Sequence, residues 1–86
     1  MTEQELLDRI MKVPGIHKAS IRHQSNIGTL LTFQTVYGSW GTYLLERFDS
    51  LDELLEKVTG LMAQVVARET VKVESIREAA RERHGL

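Results

Sequence analysis

Three histidines, a few clustered carboxylates and one tryptophan between glycines are the side chains of this 86-residue chain best suited to chemistry. His17 and His23 alternate onto one side of a strand pattern, but six residues of strand hold them about 20 Å apart. They cannot chelate one metal within a protomer. His84 stands near the C-terminus, cysteine is absent, and no His-Glu-x-x-His pair occurs. Metal sites need clustered ligands, so these histidines read as structural or surface groups. Asp49, Asp52 and Glu53 stand at the start of a helical pattern, where negative charge complements the helix dipole. Glu46 falls near Phe33 in the expected sheet, with a raised pKa if it is buried there, or at the sheet's rim with its carboxylate in water. A lone carboxylate without a cleft is no catalytic site. Gly38-Ser39-Trp40-Gly41-Thr42 lacks the lysine of a phosphate-binding loop and leads into no helix, so it reads as a hairpin turn. Trp40 at its tip is a candidate contact residue, because exposed tryptophan is enriched at interaction hot spots. With no nucleophile–base pair and no ligand cluster, the expectation is a non-enzyme without cofactor or metal.

Size and charge narrow the field further. Eighty-six residues form one domain, and a chain this short buries only roughly 60–65% of its unfolded surface. Self-association is a common remedy. The longest apolar runs fall well short of the ~18–20 residues of a membrane span, and the acidic start Met1-Thr2-Glu3-Gln4-Glu5 is unlike a basic secretory leader. The expected setting is soluble and cytoplasmic, with no membrane partner. Net charge is −1; residues 1–49 carry five basic and five acidic groups, residues 50–86 six and seven. A nucleic-acid binder more often has a basic patch or a high pI. That places nucleic acid second among partners.

The elements that must position these residues follow from spacing. Asp49 to Val66 is the clearest. Ser50 and Glu53 form a capping box, and Leu51, Leu54, Leu55, Val58, Leu61, Met62, Val65 and Val66 recur as one helical stripe. Gly60 inside it costs roughly 1 kcal/mol relative to alanine, which suggests a close neighbour. Thr2 to Lys12 is a shorter helix: Thr2 and Glu5 make a second box, Leu6, Leu7, Ile10 and Met11 share a side, and Pro14-Gly15 stops it. Residues 69–75 allow two readings. Either the helix continues to about His84, roughly 50 Å in all, or a short strand precedes a new helix capped by Ser75 and Glu78.

Between the helices lie three strands. Ile16 to Gln24 alternates, with His17, Ala19, Ile21 and His23 on one side and Lys18, Ser20, Arg22 and Gln24 on the other. A three-residue loop Asn26-Ile27-Gly28 would set His23 opposite Leu31 and Ile21 opposite Phe33. Thr29 to Tyr37 is the second strand and Thr42 to Phe48 the third, joined through Gly38–Gly41 by a two- or four-residue loop. That connection places Leu31, Phe33, Thr35 and Tyr37 on the core side with Thr42, Leu44, Glu46 and Phe48. Leu30, Thr32, Gln34, Val36, Tyr43, Leu45 and Arg47 fall on the opposite side.

The fold class expected is α+β: a small αβββα(α) domain with a three-stranded antiparallel sheet packed on helices and a long or kinked C-terminal helix. Residues 1–68 form the compact part and residues 69–86 a helical extension of the same domain. The element order over most of residues 2–66 resembles that of double-stranded-RNA-binding domains. In that family a Lys-rich segment opening the second helix grips phosphates. Here Asp49, Ser50, Asp52 and Glu53 occupy that place and would repel phosphate, so the resemblance implies the fold and not the function. Small inhibitors encoded by phages and mobile elements, anti-CRISPR proteins among them, use similar arrangements.

The function expected is a small interaction or regulatory module, a homodimer with room for a heterologous protein partner, of the phage-inhibitor or adaptor type. Its contact residues would be Leu30, Val36, Trp40, Tyr43, Leu45, Val73, Ile76 and Ala80, as apolar surface left over marks partners. The alternative is nucleic-acid binding through Lys18, Arg22 and Arg47 with Tyr43 stacking on bases.

Overall fold

A computed structural model describes the backbone of residues 1–84 and the side chains of residues 1–71. Helix α1 (Glu3–Met11) starts where Thr2 Oγ1 accepts from the Glu5 N–H at 3.1 Å. Helix α2 (Leu51–His84) starts where Ser50 Oγ accepts from the Glu53 N–H at 3.2 Å. The Glu53 carboxylate reaches back past the cap to the Asp49 N–H at 3.1 Å, so two otherwise open donors are satisfied. α2 is continuous through residues 69–75 and 34 residues long, about 51 Å at 1.5 Å per residue. The long-helix reading holds, and no strand interrupts it.

Between the helices, β1 (Ile16–Gln24), β2 (Gly28–Thr35) and β3 (Trp40–Leu44) form an antiparallel sheet in the order β1-β2-β3. This is the expected α+β arrangement. Both helices pack on one side of the sheet, where Leu6, Ile10, Val13, Ile16, Leu31, Phe33, Leu45, Leu54, Val58 and Met62 form the core. Residue i of β2 alternates strictly between buried and half-buried, the pattern of a central strand with one covered face.

Three features of the sheet differ from the sequence reading. In the first hairpin Gln24 pairs with Gly28, so Ile21 faces Leu31, Ala19 faces Phe33 and His23 faces Thr29. The loop is Ser25-Asn26-Ile27, with Asn26 at φ 69°. This register lies two residues from the expected one. A slip of two keeps every side chain on its own face, so the apolar pattern is indifferent to it. At the other end of β1 an irregularity between Ile16 and Lys18 makes His17 an extra residue. The bulge turns Ile16 into the core and leaves His17 exposed.

The second hairpin changes more. Thr35 and Ser39 close a three-residue loop, Val36-Tyr37-Gly38, through Thr35 N–H donating to Ser39 O at 2.9 Å. Gly38 takes φ 91°, the left-handed last position of such a loop. An odd loop where an even one was expected reverses the facing of β3. Leu31 now pairs with Tyr43 and Phe33 with Gly41, while Leu30 pairs with Leu44, Thr32 with Thr42 and Gln34 with Trp40. Tyr43 therefore lies on the core side, stacked at 6.1 Å on Phe33 and edge-on at 5.9 Å to Phe48. β3 also ends early. Leu45–Arg47 is a 3₁₀ turn that drives Leu45 into the core at 9% exposure.

Two glycines sit in opposite circumstances. A Cβ on Gly41 would overlap the Phe33 ring, whereas one on Gly60 would meet open space; among the described residues no close neighbour explains Gly60. Gly41→Ala should destabilise by about 1–3 kcal/mol through overpacking. Gly60→Ala should stabilise by up to about 1 kcal/mol by helix propensity. Urea melts of the two variants against the parent check both signs.

Candidate functional site

The two helices leave the far side of the sheet bare. That side carries Lys18, Ser20, Arg22 and Gln24 from β1, Leu30, Thr32 and Gln34 from β2, and Trp40, Thr42 and Leu44 from β3. Cross-strand pairing arranges them in rows: Lys18–Gln34–Trp40, Ser20–Thr32–Thr42, and Arg22–Leu30–Leu44. Trp40 is 60% exposed, and Lys18 Nζ lies 5.4 Å from the centre of its ring, within cation–π range. A shallow groove of about 410 Å³ runs between Lys18 and Arg22 on one wall and Trp40 on the other, over Ser20, Thr32 and Leu30. A second recess of about 360 Å³, lined by Ile27, Leu30, Thr42, Tyr43, Leu44, Arg47 and Phe48, shares Leu30 with it.

The charge on this side is one-sided. The three strands contain no Asp or Glu, and neither recess is lined by a carboxylate. Among the described residues Lys18, Arg22 and Arg47 have no ion-pair partner. Of the residues singled out from sequence, the structure brings together Lys18, Arg22, Leu30 and Trp40, with Arg47 at the rim. Tyr43 and Leu45 belong to the core side, because β3 is reversed and ends before Leu45. Val36, 59% exposed, sits in the hairpin tip and not in the sheet. Val73, Ile76 and Ala80 lie outside the residues whose side chains are described.

A polar chain that the sequence pattern did not reveal ties four elements at the sheet's other end. The Glu46 carboxylate accepts the Thr29 N–H at 2.9 and 3.0 Å, Thr29 Oγ1 lies 2.9 Å from His23 Nδ1, and His23 Nε2 lies 3.2 Å from Glu3 Oε1. A carboxylate at Nε2 requires a proton there. The neutral ring then accepts the Thr29 hydroxyl proton at Nδ1. Thr29, His23 and Glu3 have the residue types of a nucleophile, a base and an orienting acid. Thr29 is only 6% exposed, however, and lines none of the recesses just described. The chain ties α1, β1, β2 and the 3₁₀ turn together. Gly28 makes the approach possible, since a Cβ there would lie 2.7 Å from Glu46 Oε2.

Glu46 is thus exposed and hydrogen-bonded, in agreement with the rim placement and not with burial beside Phe33, and it stands in a turn and not in the strand. The Thr29 N–H, more than any other group, holds its carboxyl below the ordinary 4.5. Among the described residues no group of three or more potential ligands could hold a metal ion, and no helix is long and apolar enough to cross a membrane. No family model matches the chain, and no curated protein or solved structure matches it. The likeness to double-stranded-RNA-binding domains accordingly stays at the order of elements.

The depressed pKa has a definite sign. The folded state binds the Glu46 proton less tightly than the unfolded chain does, so the contribution of Glu46 to stability is present above pH 4.5 and fades as pH falls through the lower folded value. Glu46→Gln should lower stability at pH 7 and flatten the acid limb of the stability–pH curve. Urea midpoints of both proteins from pH 7 down to pH 3 provide the measurement. An unchanged acid limb would remove Glu46 from this role.

Proposed function

We propose that the chain is a small non-enzymatic binding module that works as a homodimer, with β3 as the pairing edge. The observation that carries this reading is the difference between the two edges of the sheet. β1 carries Lys18, Arg22 and the bulge at His17, and α1 packs against it. Charges, bulges and covering elements are the usual protections of an edge strand. β3, Trp40-Gly41-Thr42-Tyr43-Leu44, has no charge, no proline and no bulge, and no other strand pairs along its outer side.

Antiparallel pairing of two copies about Thr42 is self-complementary. On the open side Trp40 meets Leu44 of the second copy and Thr42 meets its own counterpart. On the covered side Gly41 meets Tyr43. Such cross-strand pairs are the unit of sheet stabilisation. Two five-residue strands alone fall short of the roughly 1,200 Å² of a stable interface. The further contact residues of this reading are Val73, Ile76 and Ala80, whose sequence spacing continues that of Val58, Met62 and Val66.

Light scattering on a sizing column across a concentration series tests the pairing. The parent should run as a dimer. Thr42→Lys places like charges face to face across the axis while leaving an exposed position on the monomer, so it should run as a monomer. Mixing Thr42→Lys with Thr42→Glu should restore the dimer mass. A parent that stays monomeric at the highest concentration, or a dimer indifferent to Thr42→Lys, defeats the reading.

A further inference from the structure

We infer that the open sheet face is a binding site for single-stranded nucleic acid, with Trp40 as the stacking surface and Lys18, Arg22 and Arg47 as phosphate contacts. Lys18 and Arg22 stand on one strand about 13 Å apart, and Trp40 stands on the opposite strand across Gln34. Between them the floor is neutral: Ser20, Thr32 and Leu30. A strand of nucleic acid laid along the groove can keep its phosphates on the β1 wall and turn a base onto the indole. Proteins that hold single strands combine these same two features, a cationic track and an aromatic platform.

Charge complementarity selects a polyanion. The chain as a whole carries −1, yet its strands hold no carboxylate. The acidic residues gather on the helices and their flanks, at Glu3, Glu5, Asp8, Asp49, Asp52, Glu53 and Glu56. Glu46 lies beside Gly28 at the rim, but its carboxylate is bound to the Thr29 N–H. Among the described residues the cations of the open face thus have no carboxylate partner, which leaves them available to a bound polyanion.

The same geometry selects a single strand over a duplex and over a protein. Among the described residues no helix or long loop stands on this face to enter a duplex groove, and the start of α2, which grips duplex RNA in the family of similar element order, is acidic here. A protein hot spot needs its aromatic and arginine anchors in a packed, desolvated pocket; here Trp40 borders a shallow groove floored by hydroxyls and Leu30. A base in an unpaired strand can leave its neighbours and stack on an indole, and a paired base cannot. Lys18, whose Nζ lies 5.4 Å from the ring centre, yields that place to the stacking base and turns its flexible ammonium to the neighbouring phosphate. Each protomer carries the whole site, so it does not depend on pairing through β3.

Trp40 is the chain's one tryptophan, so intrinsic fluorescence reads this face directly. The experiment titrates the full-length protein with a twelve-residue oligothymidylate, following Trp emission, and with its fluorescein-labelled form, following anisotropy, at several salt concentrations. The expected result is quenched Trp emission and a log K versus log [salt] slope of about −1.4 to −2, as two to three phosphate contacts require. Trp40→Leu should weaken binding roughly 5- to 150-fold, and Lys18→Glu with Arg22→Glu should weaken it further and cut the salt slope to about −0.7, the share of the one phosphate contact left at Arg47. All three positions lie on the uncovered face, and circular dichroism confirms that each variant is folded. Three results would overturn the inference: no binding at 50 mM salt, equal binding of a twelve-base-pair duplex with no effect of Trp40→Leu, or Trp emission that changes with protein concentration and not with oligonucleotide. The last would give the face to a second copy. Loss of the dimer in Thr42→Lys with oligonucleotide binding retained would separate this site from the pairing edge.

Discussion

Much of this molecule depends on the contact between the Phe33 ring and the backbone of Gly41. The ring fills the space that a side chain at position 41 would need. With those two residues paired, β3 presents Tyr43 to the core, where it stacks on Phe33 and meets Phe48 edge-on. The three-residue loop closed by Thr35 enforces the same facing from the other end. The Thr35 hydroxyl accepts the Tyr37 and Ser39 N–H groups at 3.2 Å and lies 2.7 Å from Ser39 Oγ. A buried threonine with that many partners satisfies a turn that would otherwise leave donors open. Once the facing of β3 is set, Trp40, Thr42 and Leu44 have no place but the open side.

The opposite end of the sheet is held by a different device. Where β3 stops, Leu45 turns inward and the chain enters a 3₁₀ turn, which brings the Glu46 carboxylate over Gly28 to the Thr29 N–H. A charged acceptor on a backbone donor is stronger than a neutral one. The Thr29 hydroxyl passes the connection to His23, and His23 passes it to Glu3 on α1. This end of the domain is tied through polar groups, and the middle through apolar packing. The arrangement explains how three strands of nine, eight and five residues are kept in register with so small a core.

The helices were legible in the sequence because their signals are local. Ser50 with Glu53 and Thr2 with Glu5 announce their caps within four residues, and the apolar stripe of α2 repeats many times. Strand identity was legible for β1 and β2 for the same reason. Register was not. The two-residue slip at Ser25–Gly28 preserves every facing, so no alternation of apolar residues can detect it. In the second hairpin local preference pointed the wrong way. Val36 and Tyr37 favour strands yet form the tip, and Gly41 favours turns yet lies inside β3, where the Phe33 ring requires it. Strand propensity reports fit to a half-buried surface, and which surface is half-buried is decided by partners far along the chain. Glu46 was misplaced by the same error, since extending β3 through Phe48 puts its carboxylate in the sheet when it belongs to a turn.

Correcting β3 also changes the character of the uncovered face. With Val36, Tyr43 and Leu45 on it, that face would be an apolar patch of the kind that seeks a protein. With Thr42, Leu44 and Trp40 in their place, beside Lys18, Ser20, Arg22, Gln24, Thr32 and Gln34, it is a hydrated surface with one aromatic ring and unpaired cations. The two descriptions differ by a single residue of loop length. An antiparallel sheet can leave one side in water at no penalty when that side is polar, so stability alone does not require a partner here. What stability does not explain is the combination of cations without counter-charges and a tryptophan kept in solvent. Folding could have paired those cations with the carboxylates that crowd the helices, and it has kept the two apart on opposite layers of the domain. A separation of that kind creates a directed field across a small protein, and its positive end is the face that carries the indole.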